Sequence, residues 1–133
     1  MGSNSRYEAR MDKTVLSRSA SKSISVHSST IDSYVDRHGI EPNFVKIDAE
    51  SSEFEILKGM THVLENARPI VALEVGDMDI AGVPASRDLI AFLNTKGYQA
   101  YEFADTGLSI HQIKNRYTYD NILFIPDLRL QSG

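Results

Sequence analysis

Three carboxylates stand where a chain of this kind can do chemistry. Asp48 closes the short apolar run Phe44-Val45-Lys46-Ile47, Glu50 lies two residues on, and Glu74 comes near the end of a second run, Ile70 to Val75. In open parallel sheets, ligands bind in the crevice outside the carboxyl ends of the strands. Ser51-Ser52-Glu53-Phe54-Glu55 follows the first run and reads as a helix start, with Ser52 and Glu55 at capping-box spacing. The free N–H groups and positive dipole end of that helix face the same crevice and favour ionised carboxylates there. Such a rim attracts a cation, and one of its carboxylates can take the proton of a hydroxyl. A plainer reading has Asp48 and Glu50 capping the helix or binding loop amides, Glu50 more so than Asp48, and Glu74 pairing with a nearby Lys or Arg. Position alone does not choose between the two. Lys46, in mid-run, either snorkels from a sheet edge or pairs with an acid.

Other residue types offer less. His27, His38, His62 and His111 fall in four different elements without metal-ligand spacing, so each is read as a surface or packing residue and no metal site is expected. Asp77-Met78-Asp79 resembles a metal-binding acid pair only superficially. Tyr98, Tyr101, Tyr117 and Tyr119 fall on strand or loop positions, where packing outweighs base stacking. There is no Gly-rich phosphate loop and no Gly-x-Ser-x-Gly elbow. With no cysteine, there is no disulfide and no thiolate nucleophile.

The elements that must position the carboxylates follow from periodicity. Residues 1–21 form a polar lead-in without sustained period, and 22–133 form one domain. Ile24 and Val26 alternate with polar neighbours as in a short strand. Thr30 stands as N-cap to a helix carrying Ile31, Tyr34 and Val35, which Gly39 ends. Phe44–Ile47 reads as a buried strand. Phe54, Leu57, Met60 and Leu64 make the stripe of one helix that ends before Pro69. Ile70–Val75 is apolar at consecutive positions, as in a strand covered on both faces. Ser86 is the expected cap of a helix with Leu89, Ile90 and Leu93, followed by strands over Tyr98–Phe103 and Asn121–Pro126. Alternating strand and helix with short connections means an α/β layer architecture. The chain has 133 residues, 41% apolar and 24% charged, with a net charge of −4, so it carries no basic footprint for nucleic acid. No run is long enough for a membrane helix, and no signal peptide opens the chain. A soluble cytoplasmic domain is expected.

Several of these segments resemble the FkbM-type methyltransferases. They are Thr30-Ile31-Asp32, Lys46-Ile47-Asp48-Ala49-Glu50, Leu57-Lys58-Gly59, Arg68-Pro69 with Leu73-Glu74, Lys96-Gly97-Tyr98, and Asn121-Ile122-Leu123-Phe124. They follow the family's order over about residues 28 to 126. The resemblance implies a Rossmann-like fold, seen here as its C-terminal half: a partial doubly wound, mostly parallel sheet with the last strand antiparallel and the N-terminal strands missing. It implies methyl transfer from S-adenosylmethionine, usually to a hydroxyl oxygen of a small molecule or glycan. Asp48 and Glu50 then become the catalytic candidates, and Asp48, Ser51 and Glu74 the cofactor-binding ones. Ser51 stands where the family carries glycine, adding a side chain at a point of close approach.

The family's first strands, with their Gly-containing cofactor loop, are expected upstream of residue 1. Methyl transfer depends on holding donor and acceptor in near-attack geometry. The chain by itself is therefore expected to bind S-adenosylmethionine weakly or not at all. Its Phe44–Asp48 strand becomes an edge, which predicts self-association there or cover by the segment Lys22–Ser28. Two other classes compete: a non-catalytic α/β interaction module and a receiver-like signalling domain.

Overall fold

The local signals for the first helix are met atom by atom. The Thr30 hydroxyl accepts from the Ser33 N–H at 3.1 Å, and Gly39 ends the helix in the left-handed region at φ 61°. This helix, α1 (Ile31–His38), follows two strands, β1 (Ser5–Ala9) and β2 (Ile24–Ser28). The computed structural model describes residues 5–9 and 22–127. Most of the lead-in over 1–21 lies outside the described residues; within it Ser5–Ala9 forms a strand, paired antiparallel with Ile24–Ser28 in a separate two-stranded sheet.

The second sheet has five strands. Here β3 (Phe44–Ile47), β4 (Ile70–Val75), β7 (Asp120–Pro126), β5 (Tyr98–Ala104) and β6 (Gly107–Ile110) lie in that spatial order. Only β3 and β4 pair in parallel; β7 is antiparallel to both β4 and β5, and β6 to β5. The mostly parallel sheet expected from the sequence is thus corrected to a mostly antiparallel one. The cause is non-local. Because β7 runs opposite to both neighbours, β3, β4 and β5 share one direction and end at one rim, but β7 separates β4 from β5. The hairpin to β6, through Gly107 at φ 124°, was not anticipated from its polar sequence.

One face of this sheet holds the core. Ile47, Val71, Leu73, Val75, Tyr98, Ala100, Ile122 and Phe124 pack there against Leu57, Met60, Val63, Leu64, Leu89, Ile90 and Leu93. The helical residues come from α2 (Glu53–Lys58), α3 (Thr61–Asn66) and α4 (Ser86–Thr95). The opposite face carries Phe44, Lys46, Ile70, Ala72, Glu74, Leu123, Ile125 and Tyr101, all half-buried or exposed, so β4 is covered on one face and not on two. Its consecutive apolar residues had implied cover on both.

The single helix expected over Phe54–Leu64 is two, broken at Gly59-Met60. The Asp32 carboxylate reaches the second, accepting from the His62 and Val63 N–H groups at 3.0 and 2.9 Å. Asp32 N–H in turn donates to Gly59 O at 3.0 Å, and a Cβ on Gly59 would come within 3.1 Å of the Thr30 side chain. The Thr-Ile-Asp and Leu-Lys-Gly segments are therefore one packed joint. A second joint links Arg68-Pro69 to Gly97-Tyr98. The Arg68 guanidinium donates to Leu64 O, Lys96 O and Gly97 O, and the Tyr98 hydroxyl donates to Pro69 O at 2.7 Å. Burial pushes the Tyr98 phenol up to about 12.

Candidate functional site at the carboxyl rim

In the parallel register Ile47 lies beside Leu73, so the next residues, Asp48 and Glu74, emerge side by side on the open face. A hydrogen bond with Asp48, then desolvation, then the negative charge of Asp48 raise the Glu74 carboxyl above its ordinary range, and Lys46 offsets this in part. Glu74 thus holds its proton more readily than an isolated glutamate would. Lys46 is exposed on the edge strand β3, and its charge lowers the Glu74 carboxyl in part.

Glu50 and Ser51 make the turn that leads from β3 to α2. Both have left-handed backbones, at φ 40° and 80°. At Ser51 this accounts for the glycine of the family pattern, since only glycine takes such a φ without strain. The expected capping box does not form: Ser52 precedes α2 without a side-chain cap bond, and Glu55 pairs with Lys58 at 2.9 Å. Asp48 and Ser51 line one hollow with Glu50, Glu53, Glu74, Gly76 and Tyr119. An adjoining hollow shares Ser51, Glu53 and Glu74 and reaches Pro84 and Ser86. All four sequence candidates are therefore brought to one rim. Each hollow offers about 20 Å³, room for a water and far below the roughly 300 Å³ of a small-molecule pocket. A roomier groove of about 390 Å³ lies between α1 and α3, lined by Asp32, Val35, Ile40, His62 and Asn66, and shares no residue with the rim.

Glu53, Gly76 and Tyr119 were not found from the sequence. Glu53 is buried in the first turn of α2, and its only sequence mark was membership of an acid-rich helix start. Gly76 is required by a close approach: a Cβ there would stand 2.5 Å from Thr118 O. That contact joins segments forty residues apart, so no local pattern announces it. Asp77 locks the same joint. Its carboxylate accepts from the Ser86 N–H at 2.8 Å and the Tyr117 N–H at 2.7 Å. Burial pushes the Asp77 carboxyl up, but these bonds and the Arg116 charge outweigh it and hold the carboxyl below its ordinary range. Asp77, not the Ser86 side chain, therefore satisfies the start of α4. Asp79 pairs with Arg116 at 3.0 and 2.6 Å, so the Asp-Met-Asp triplet is accounted for by structure. Among the described residues no three His, Asp or Glu are grouped to hold a metal ion. His111 is buried between Glu102 and the Tyr117 hydroxyl, each at 2.7 Å, which is a packing role of the kind expected for it.

An α/β domain with acids gathered at the ends of two parallel strands defines the class. Within that class, the family model described as the methyltransferase FkbM domain matches residues 1–100. The chain belongs to the FkbM methyltransferase family. No curated protein and no solved structure matches it. The family assignment replaces the receiver-like alternative. Among the described residues no helix is long and apolar enough to cross a membrane.

Proposed function

We propose that this chain is the acceptor-side portion of an S-adenosylmethionine-dependent O-methyltransferase with a Rossmann-like plan, acting on a hydroxyl of a small molecule or glycan. The observation that carries the reading is the side-by-side placement of Asp48 and Glu74 at neighbouring parallel strand ends, with the Glu74 carboxyl raised, in a chain of a methyltransferase family. The donor set suits the charged end of the cofactor: Asp48, Glu50 and Glu74 would lie toward a sulfonium, with Ser51 at the turn. The enclosed space does not suit its adenosine, because each hollow is of single-water size. When bound, S-adenosylmethionine supplies an electrophilic methyl group; the chain's own part is to orient the acceptor and receive its proton. With both carboxylates ionised, a proton released by the acceptor oxygen would go to Glu74, whose carboxyl is raised above its ordinary range beside Asp48.

Calorimetric titration of S-adenosylmethionine into the chain tests this, with amide spectra recorded on the same samples. The expected result is weak binding, well above micromolar Kd, with shifts confined to Asp48–Ser51 and Glu74–Gly76. Micromolar binding would contradict the expected weakness. Saturation without any shift at those residues would contradict the rim assignment, and would favour the non-catalytic interaction module.

A further inference from the structure

The outer side of β3 has no partner strand among the described residues, because β2 pairs with β1 and does not cover it. One contact orients the backbone of this edge: Ile70 N–H donates to Asn43 O at 3.0 Å. Along a parallel ladder, alternate residues turn both N–H and C=O to the same neighbour. Asn43, Val45 and Ile47 therefore face β4, while Phe44, Lys46 and Asp48 turn their backbone groups outward. Their side chains lie on the open face; Phe44 is 56% exposed, and Lys46 and Asp48 are exposed as well.

An antiparallel copy can join such an edge only with outward-turned residues opposite one another, which leaves few registers. Pairing centred on Lys46 sets two ammonium groups against each other at the axis. Pairing centred on Val45 matches Lys46 with Phe44 and leaves Asp48 outside the ladder. Pairing centred on Ile47 sets Lys46 of each copy opposite Asp48 of the other, twice by symmetry. Directly opposed unlike charges stabilise a pair of strands, and like charges destabilise it. The edge is thus self-complementary in one register, as a two-fold interface requires.

We propose that two copies of this chain join β3 to β3 antiparallel about Ile47, forming one continuous sheet with reciprocal Lys46–Asp48 pairs. Each pair exchanges both backbone hydrogen bonds across the edge. The dimer does not depend on the donor-binding reading, and neither stands or falls with the other.

The test is sedimentation velocity on the full chain and two charge variants, with circular dichroism to establish that each is folded. Wild type is expected at twice the mass of one chain. Lys46→Asp places acids opposite acids, and Asp48→Lys places bases opposite bases, so each alone is expected at the monomer mass. An equimolar mixture of the two restores both opposite-charge pairs and is expected to return to the dimer mass. A third variant, Lys46→Pro, removes an outward N–H without touching the ladder to β4 and is also expected to be monomeric; it serves if a charge variant fails to fold. A monomeric wild type overturns the proposal. So do single variants that remain dimeric, as they would if copies met through β6, and so does a mixture that stays monomeric.

Discussion

Ser51 at φ 80° and Glu50 at φ 40° store backbone strain beside the carboxylates, a cost of about 1 kcal/mol or more for each non-glycine residue held there. Ser51→Gly is therefore expected to stabilise the fold by about 1 kcal/mol, read as a higher denaturant midpoint at unchanged slope. A lower midpoint would contradict the account of that turn. Glu74 carries a pH signature. Its carboxyl is raised above the ordinary 4.5, so the folded chain holds that proton more tightly than the unfolded chain does. The stability this contributes is present below the ordinary value and is lost as pH rises through the raised one. Glu74→Gln keeps the neutral form at every pH. The variant is expected to melt above wild type at neutral pH and level with it in acid, and a lower neutral Tm would refute the assignment. At this scale the sequence was informative about which residues end the strands. The left-handed turn at Ser51 was legible only as a departure from the family glycine, since φ belongs to the folded backbone.

Helix boundaries divide by how far their capping partners lie along the chain. Thr30 and Gly39 were readable because Thr30 reaches only to Ser33 and Gly39 needs only its own φ. The start of α3 was not, because its acceptor, Asp32, lies thirty-one residues from the Val63 amide; α4 begins at Ser86 as the sequence suggested to within a residue, but the acceptor of that amide is Asp77, nine residues away. Asp32→Ala should cost about 1–2 kcal/mol, the usual loss for a capping acid, and should raise amide exchange at His62 and Val63 first. Unchanged exchange there would contradict the cap. Arg68 ties α3 and the α4–β5 turn through backbone carbonyls of Leu64, Lys96 and Gly97. Arg68→Ala leaves those acceptors without their charged donor and should cost about 2–4 kcal/mol in chemical denaturation. A loss under half a kcal/mol would place the joint elsewhere.

For the molecule as a whole, the order of strands was the least legible feature. The direction of β3, β4 and β5 followed from strand-helix alternation, as the sequence suggested. The insertion of β7 between β4 and β5 depends on pairing across about fifty residues, as with Val71 opposite Phe124, and no local pattern encodes it. The resulting sheet has helices on one face and leaves Phe44, Phe103, Leu108 and Ile110 exposed at 56, 69, 46 and 57%. A surface of that kind takes up apolar dye in the native state. Phe103→Lys with Leu108→Lys should lower that uptake while leaving Tm unchanged; uptake that persists would mean that the face is covered.

The two acids brought together by β3 and β4 carry the functional account, and their coupling can be read directly. Carbon-detected titration of the Asp48 and Glu74 carboxyls, in wild type and in Asp48→Asn, measures it. The expected result is a Glu74 midpoint above the ordinary glutamate value in wild type that moves when Asp48 loses its charge. A Glu74 that titrates as an ordinary glutamate and ignores the substitution would show that Asp48 does not act on it, and the proposed site would be lost with it.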